Sequence, residues 1–366
     1  MTLTELQKGM TMNRIGWGQL GIVLALSRIF AEAANFPSDD INYGMQRFTV
    51  IILSYILLII ALVPVFLLTN RRNDSCVSLY HSKTAAIITI IYLIMASIST
   101  TTRLQFYTSS TIFDAAPPWL LILFVSAVCL YGLFKGTAAV SRAGVIVAAL
   151  FLLLLFAVIM GISDNIHTEY LYSALADRRS SLIGDVVAEF SKNGELVIFA
   201  ALCSDVRKDI HKSLFVYVPI AFCAQLLMTF LYNTVLGEYL NVTSFPFYML
   251  SSLSDISLLQ RLDGIDVAVW VMSAVIKISL LALSVFSVCR NAGFKKKTAY
   301  IISAAALTVS SLASLFFSVN TSDFLIFAGI METALPLLAA GFAVPLSAVV
   351  CDAVRNRKER KPHAAH

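Results

Sequence analysis

Two apolar stretches of the sequence carry charged side chains near their middle. The first, residues 21–37, reads GIVLALSRIFAEAANFP and contains Arg28 and Glu32. A charge at the centre of a bilayer costs at least about 2.5 to 3.5 kcal/mol on insertion scales. On a continuous helix these two side chains, four residues apart, share a face and can pair. They are therefore either a structural ion pair facing the interior of a helix bundle or groups that meet a ligand.

The second stretch, residues 186–203, reads VVAEFSKNGELVIFAALC. Its polar centre consists of Glu189, Lys192, Asn193, Gly194 and Glu195. Gly194 lowers the cost of unwinding a helix at this point. The alternative is a helix that begins at Glu195 and leaves Lys192 in water.

A lysine is the third charge inside an apolar run. Lys277 follows Trp270 by seven residues in WVMSAVIKISL, which places both on one helix face about two turns apart. A lysine at that depth must reach a cavity, a carboxylate or freed backbone carbonyls. It is a candidate cation surrogate or proton site, with structural pairing as the alternative.

Two further residues are candidates on weaker grounds. Glu332 lies in the last apolar run, four residues before Pro336, which removes a backbone donor and is expected to kink the helix. Glu332 is the second candidate for ion or proton coupling. Tyr92 belongs to a hydroxyl-rich run that suits a polar vestibule, although hydroxyl groups also join membrane helices to each other.

Membrane helices must position these residues, because the composition excludes a water-soluble protein. The chain is 58% hydrophobic and only 13% charged, with a mean hydropathy of +0.81. Soluble proteins average about 45–50% apolar and about 25% charged residues. A span needs about 20 mostly apolar residues, which predicts an all-α protein with about ten spans. Spans one to ten are placed at 15–35, 47–69, 84–103, 118–134, 138–162, 184–204, 212–236, 262–289, 298–319 and 323–351.

The loop charges predict the orientation of these spans. Lysines and arginines collect in alternate loops, as they do on the cytoplasmic side of membrane proteins. Only a few lie on the opposite side: Arg47, Arg103, Arg178, Arg179 and Arg261. Both termini are therefore expected in the cytoplasm, with an N-terminal segment at 1–14, a membrane domain at 15–351 and a basic tail at 352–366.

Other classes of function find no support in the sequence. No glycine-rich phosphate loop, nucleophile elbow or metal-ligand spacing is present, so we expect neither an enzyme nor a cofactor. The net charge of +5 does not form a basic patch with interleaved aromatic residues, so no nucleic-acid partner is expected. The expected surroundings are the lipid bilayer.

The two interrupted runs occupy spans one and six, which are equivalent positions if the chain consists of two five-helix halves. Inverted repeats with a broken helix in each half are typical of secondary transporters. Half-helix N-termini attract an anionic group, and freed carbonyls hold a cation or an ammonium. This chemistry fits a zwitterionic amino acid bound at mid-membrane depth.

The segment 245–279, FPFYMLSSLSDISLLQRLDGIDVAVWVMSAVIKIS, resembles the B subunits of spore germinant receptors, the GerAB type. The matching residues are Phe245, Pro246, Tyr248, Arg261, Leu262, Asp263 and Trp270. The run GELVIFAALCSDVRKDIHKS and the ending ALPLLAAGFAVPLSAVVCDAVRNRKERK are also similar to that family. The length and the number of spans agree over the whole chain.

This resemblance implies the amino acid, polyamine and organocation transporter superfamily and a LeuT-like 5+5 inverted repeat with interrupted helices 1 and 6. It implies a bacterial membrane protein, in the spore inner membrane, that binds a small nutrient and signals to a larger membrane subunit and a lipoprotein. An amino acid permease coupled to protons or sodium is the alternative. The expected ligand-binding residues are Ser27, Arg28, Ile29, Glu32, Tyr92, Ser191, Lys192, Asn193, Gly194, Glu195 and Trp270. The family's first break is usually small and glycine-rich, so Arg28 either meets a ligand carboxylate or occupies the pocket itself.

Overall fold

A computed structural model describes residues 15–33, 44–71, 80, 82–111, 117–173, 181–206, 209–241, 243, 245–254 and 262–360. The predicted N-terminal segment 1–14, Arg261 and the end of the basic tail lie outside these residues. The division into a membrane domain and two terminal segments stays a prediction.

The described chain is nearly all helical, and helices occur at each of the ten predicted spans. They are Trp17–Ala33, Met45–Arg71, Lys83–Thr111, Pro118–Lys135, Thr137–Gly161, Leu182–Ser191 with Glu195–Leu202, His211–Leu231, Asp263–Asn291, Lys296–Val319, and Thr321–Glu332 with Leu335–Leu338 and Val344–Arg360. We keep the names span one to span ten for these helices. A further helix at Pro246–Leu253, called the loop helix below, lies between spans seven and eight.

Seven helical segments in the described residues are long and apolar enough to cross a membrane, and for span ten this is the segment Leu335–Val354 after its break. The other three predicted spans do not reach this length and hydropathy, each for a different reason. Span one has 17 helical residues and includes Arg28 and Glu32. Span four has a short helix, whose apolar part is Trp119–Lys135, and span six is divided into two halves. The chain is a multi-pass membrane protein.

Span eight is the central helix of the bundle. Within its most apolar window 78% of the residues are buried, against 28% to 50% in the other long spans. It packs against spans three, four, five and nine and against the second half of span six. Polar groups on span eight are therefore placed inside the protein and not in lipid.

Spans one and seven approach each other closely because of a glycine. A Cβ atom on Gly21 would lie 2.7 Å from the carbonyl oxygen of Ser213 and from Cβ of Val216. This close packing fixes span one against span seven. It brings the charged end of span one beside the polar side chains of its neighbours.

Span ten breaks where the sequence predicted a kink. Ala334 has a φ of +59°, which is the left-handed region, and separates Thr321–Glu332 from Leu335–Leu338. Pro336 lies in the first turn of the following helix, where its missing N–H has no intrahelical acceptor in any case. The helix therefore ends before the proline and does not bend around it.

Candidate functional site

A cavity of about 80 Å³ lies against the break of span six. A cavity that holds one water needs about 10 to 15 Å³ on this measure, so a small molecule fits. The walls come from spans one, three, six, eight and ten. They are formed by Phe30, Ala31, Tyr92, Ala96, Ser99, Thr100, Arg103, Ser191, Lys192, Gly194, Ile198, Lys277, Leu281, Met331 and Glu332.

The break of span six runs over Lys192, Asn193 and Gly194, between helices that end at Ser191 and begin at Glu195. Gly194 has an ordinary helical backbone, with φ at −58°, so its conformational freedom is not what the site needs. A Cβ atom there would lie 2.9 Å from the hydroxyl oxygen of Tyr92. Any larger residue at this position must displace the Tyr92 side chain at the cavity wall.

Lys277 joins three spans beside this cavity. Its ammonium donates a hydrogen bond to Glu195 Oε1 at 2.9 Å and another to the backbone carbonyl of Ser27 at 3.1 Å. The hydroxyl of Ser27 donates to the same Glu195 oxygen at 2.7 Å. All three side chains are buried. Lys277 therefore has both partners expected of a buried cation, a carboxylate and a backbone carbonyl.

The second charged group on span one, Arg28, lies in a larger buried network centred on Glu189. The carboxylate of Glu189 accepts hydrogen bonds from Arg28 and Gln225, from Arg47 at 2.6 Å and from Lys192 at 3.2 Å. These donors come from spans one, seven and two and from the break of span six. Glu189 therefore connects four segments of the bundle.

Glu32 supplies the second carboxylate of this network. It accepts from Arg47 at 2.9 Å and from Gln225 at 3.1 Å, and it lies 3.6 Å from Arg28. Arg28 also donates to the side-chain oxygen of Asn193 at 3.1 Å. Three cations and two carboxylates give the network a net charge of +1. The predicted pairing of Arg28 with Glu32 is present as one contact of several.

The predicted site residues separate into three groups. Tyr92, Ser191, Lys192, Gly194, Lys277 and Glu332 line the cavity. Ser27, Arg28, Glu32, Asn193 and Glu195 are not in its wall and form the two polar networks that support it. Ile29 is a buried apolar residue, and Trp270 contacts the wall residue Phe30, with ring centroids 5.1 Å apart.

Span one differs in detail from the expectation. Its helix is continuous through Ser27, Arg28 and Ile29 and is described as far as Ala33. Phe30 and Ala31 line the cavity in their place. A continuous helix is possible here because Arg28 and Glu32 are neutralised and hydrogen-bonded by side chains from other spans, so no backbone group has to be freed.

Sequence reasoning missed three groups that the structure places in or beside the site. Arg47 was counted as a loop charge, and Gln225 is a single amide in the apolar run of span seven. Arg103 lines the cavity together with Glu332. A signal was present for Gln225 and Arg103, because a polar residue within an apolar span must find a partner inside the protein.

Replacing Glu189 with glutamine is expected to lower the free energy of unfolding by about 2 kcal/mol, because the amide oxygen still accepts hydrogen bonds but loses the added strength of a charged acceptor. The change leaves three cations and one carboxylate, so the network's charge rises from +1 to +2. Thermal unfolding of the purified protein in detergent measures the effect. Glu169→Gln, at an exposed position, is the matched control and should leave the transition unchanged. Equal transitions for both variants would show that the network adds no stability.

Comparisons with known proteins agree with this architecture. A family model described as spore germination protein matches residues 43–322. Among solved structures, Mhp1, a nucleobase-cation-symport-1 family transporter in a closed conformation with bromovinylhydantoin bound, has a TM-score of 0.60 at 12% identity, over 87% of this chain and 78% of that chain. A Na+-coupled sialic acid symporter in a substrate-bound, outward-open state has a TM-score of 0.59 at 12% identity, over 90% of this chain and 79% of that chain.

No curated protein sequence matches the chain. The structural likenesses confirm the expected fold, that of LeuT-like transporters, and a 5+5 repeat is consistent with them. The family and the structural neighbours are permeases and transporters and not enzymes. Among the described residues no group of three or more His, Cys, Asp or Glu side chains is arranged to hold a metal ion.

Proposed function

This chain belongs to the spore germination protein family, and on that premise we propose that it is a membrane subunit of a germinant receptor that binds a small amino acid in the cavity beside span six. The proposal places the protein in the spore inner membrane with both termini in the cytoplasm. A larger membrane subunit and a lipoprotein are its proposed partners. Ligand binding would change the balance between two conformations of the bundle, which the partners detect.

The observation that carries this proposal is the charge distribution in the cavity wall. Lys192 lies at the span six break, next to the first turn of the helix Glu195–Leu202, whose dipole is positive at that end. Glu332 of span ten and Arg103 of span three belong to the same wall, where a ligand ammonium would share Glu332 with Arg103. A small zwitterion can place its carboxylate near Lys192 and the helix terminus and its ammonium near Glu332. Apolar wall residues such as Phe30 and Ile198 leave room for a short side chain.

Lys192 also gives the ligand a way to act on the bundle. Its ammonium is 3.2 Å from the Glu189 carboxylate, and the same carboxylate binds Arg28 and Arg47. A ligand carboxylate that attracts Lys192 weakens its pairing with Glu189. The ligand therefore stabilises an arrangement in which Lys192 pairs with the ligand over the arrangement in which Lys192 pairs with Glu189. This difference shifts the equilibrium between two positions of the four segments joined at Glu189.

A comparison of matched small molecules tests the ligand class. We expect L-alanine to raise the unfolding temperature of the purified protein, because a ligand that binds only the folded state stabilises it. Propionate lacks the ammonium and ethylamine lacks the carboxylate, so each should stabilise far less at the same concentration. Lys192→Met should remove most of the response to L-alanine. Equal responses to all three compounds, or no response to any of twenty amino acids, would contradict the proposal.

A permease is the second candidate, because the two solved structures described above are of a transporter and a symporter. Reconstituted vesicles separate the two functions. A receptor subunit is expected to bind radiolabelled L-alanine without accumulating it, whether a proton or a sodium gradient is applied. Accumulation driven by either gradient would favour the permease.

A further inference from the structure

Asp266, in the first turns of span eight, is a carboxylate that belongs to neither polar network. It is fully buried, and only one of its two oxygens has hydrogen-bond partners. Oδ2 accepts from the hydroxyl of Tyr107 at 3.1 Å and from the hydroxyl of Ser251 at 3.2 Å. These donors come from span three and from the loop helix. Asp266 therefore joins three separate elements at one end of the bundle.

The second oxygen of Asp266 and a nearby N–H group are both left without a partner. Oδ1 of Asp266 and the indole N–H of Trp270 are buried and have no well-aligned hydrogen-bond partner, although the indole is close enough to the carboxylate to interact with it. The two residues are four apart on one helix and so lie on the same face. An unpaired acceptor thus lies one turn from an unpaired donor.

The surroundings of Asp266 are aromatic. The Tyr107 ring lies 5.0 Å from that of Phe245 and 5.8 Å from that of Trp270, and Phe247 lies 6.1 Å from Trp270, measured between centroids. The titratable groups that face Asp266 are Tyr107 of span three, Tyr248 of the loop helix, Tyr232 after span seven and Asp263 one turn earlier.

None of these groups is a cation. In the part of the chain that the structure describes, no lysine or arginine forms an ion pair with Asp266. A buried carboxylate without a cationic partner is strongly disfavoured in its charged form. A proton would neutralise the carboxylate and, unlike a bound metal cation, would need no space beside it.

The charge of Asp266 can affect the cavity through the position of Trp270. The indole ring lies one turn from Asp266 and contacts Phe30, which lines the cavity. When the carboxylate is charged, an indole N–H that donates to it is stabilised, because hydrogen bonds to ionised acceptors are the stronger ones. When the carboxylate is neutral, this attraction is smaller and Trp270 packs against Phe30 as in the structure.

We propose that Asp266 is a proton-binding site whose charge state sets the position of Trp270 against the cavity wall. The proton comes from the aqueous phase and returns to it, so no other reactant is required. This site goes beyond the proposed nutrient site, and its test needs no nutrient. Its failure and the failure of the proposed function are therefore separate results.

The fluorescence of Trp270 reports on this site directly. The chain has three tryptophans, and Trp17 and Trp119 are exposed, so Trp17→Phe with Trp119→Phe leaves Trp270 as the only indole. In this background we expect the emission and its quenching by acrylamide to change with pH in one single-proton step. Asp266→Asn mimics the neutral carboxyl group and should abolish the step. Asp263→Asn, one turn away, is the matched control and should retain the step, moved to lower pH because a neighbouring negative charge is removed.

A second variant keeps the test decisive if Asp266→Asn folds poorly. Tyr107→Phe removes a donor to the carboxylate and is expected to move the step to higher pH, because the charged form loses a hydrogen bond. A step that is absent from the single-tryptophan protein, or that persists unchanged in both the Asp266→Asn and Tyr107→Phe variants, would overturn the proposal.

Discussion

Replacing Gly194 with leucine is expected to abolish ligand binding, with at least about a 100-fold loss of affinity, equivalent to roughly 2.7 kcal/mol. Even a Cβ atom at this position would lie 2.9 Å from the Tyr92 hydroxyl, and Tyr92 is itself part of the cavity wall. The leucine side chain must displace Tyr92 or enter the cavity of about 80 Å³. Either change removes the space that a ligand needs. Binding of radiolabelled L-alanine to purified protein measures the loss.

The strain of the larger side chain is expected to cost about 1 to 3 kcal/mol of stability, so the Gly194→Leu protein should still fold. Gly329→Leu is the matched control, because Gly329 is exposed in span ten and a Cβ there meets no atom within 4 Å. It should bind as the unmodified protein does. Unchanged affinity in Gly194→Leu, in a protein that elutes as a single species from a sizing column, would show that the ligand binds elsewhere.

Replacing Lys277 with methionine is expected to lower the free energy of unfolding by about 3 to 5 kcal/mol, the cost of leaving one member of a buried ion pair without its partner. Glu195 is fully buried, and its other carboxylate oxygen has no hydrogen-bond partner among the described residues. The Ser27 carbonyl would lose its donor as well. Because spans one, six and eight meet at this ammonium, ligand binding should weaken with stability. Thermal unfolding and L-alanine binding measure the two effects.

A double variant separates a lost ion pair from a lost side chain. Lys277→Met with Glu195→Gln removes both charges and should recover most of the stability that the single variant loses. Lys212→Met is the matched control, because Lys212 pairs with Asp209 at the same 2.9 Å but both side chains are about half exposed. Exposed pairs contribute about 0 to 1 kcal/mol, so its transition should hardly move. Equal effects of Lys277→Met and Lys212→Met would contradict the assigned role.

The sequence was sufficient to predict which helices line the candidate cavity, because a charged residue in a membrane must find partners inside the protein. Arg28, Glu32, Lys192 and Lys277 each interrupt an apolar run, and each is found in or beside the cavity or in a network that supports it. The same reasoning located the break of span six. It did not predict that Tyr92 of span three lies against Gly194, because this close approach has no signature in the local sequence.

The sequence did not reveal which side chains pair with the charged residues of span one. The spacing of Arg28 and Glu32 predicted one ion pair within span one, whereas Glu189, Arg47 and Gln225 from three other segments complete a network around them. These partners are 15 to 197 residues away along the chain, so no local pattern connects them. For the same reason Asp266 passed unnoticed, since its donors Tyr107 and Ser251 lie on other elements.

The apolar stretches of the sequence therefore determined the membrane class and the ten helices. The charged residues inside those stretches determined which side chains must find polar partners, because a bilayer penalises every unpaired charge. Only the tertiary structure decided which partners those residues find. That choice depends on close approaches between distant helices, such as span one on span seven at Gly21 and span three on the span six break at Gly194. Of the two spans predicted to be interrupted, span one is thus a continuous helix whose charges are paired with its neighbours, and span six is a broken helix that lines the cavity.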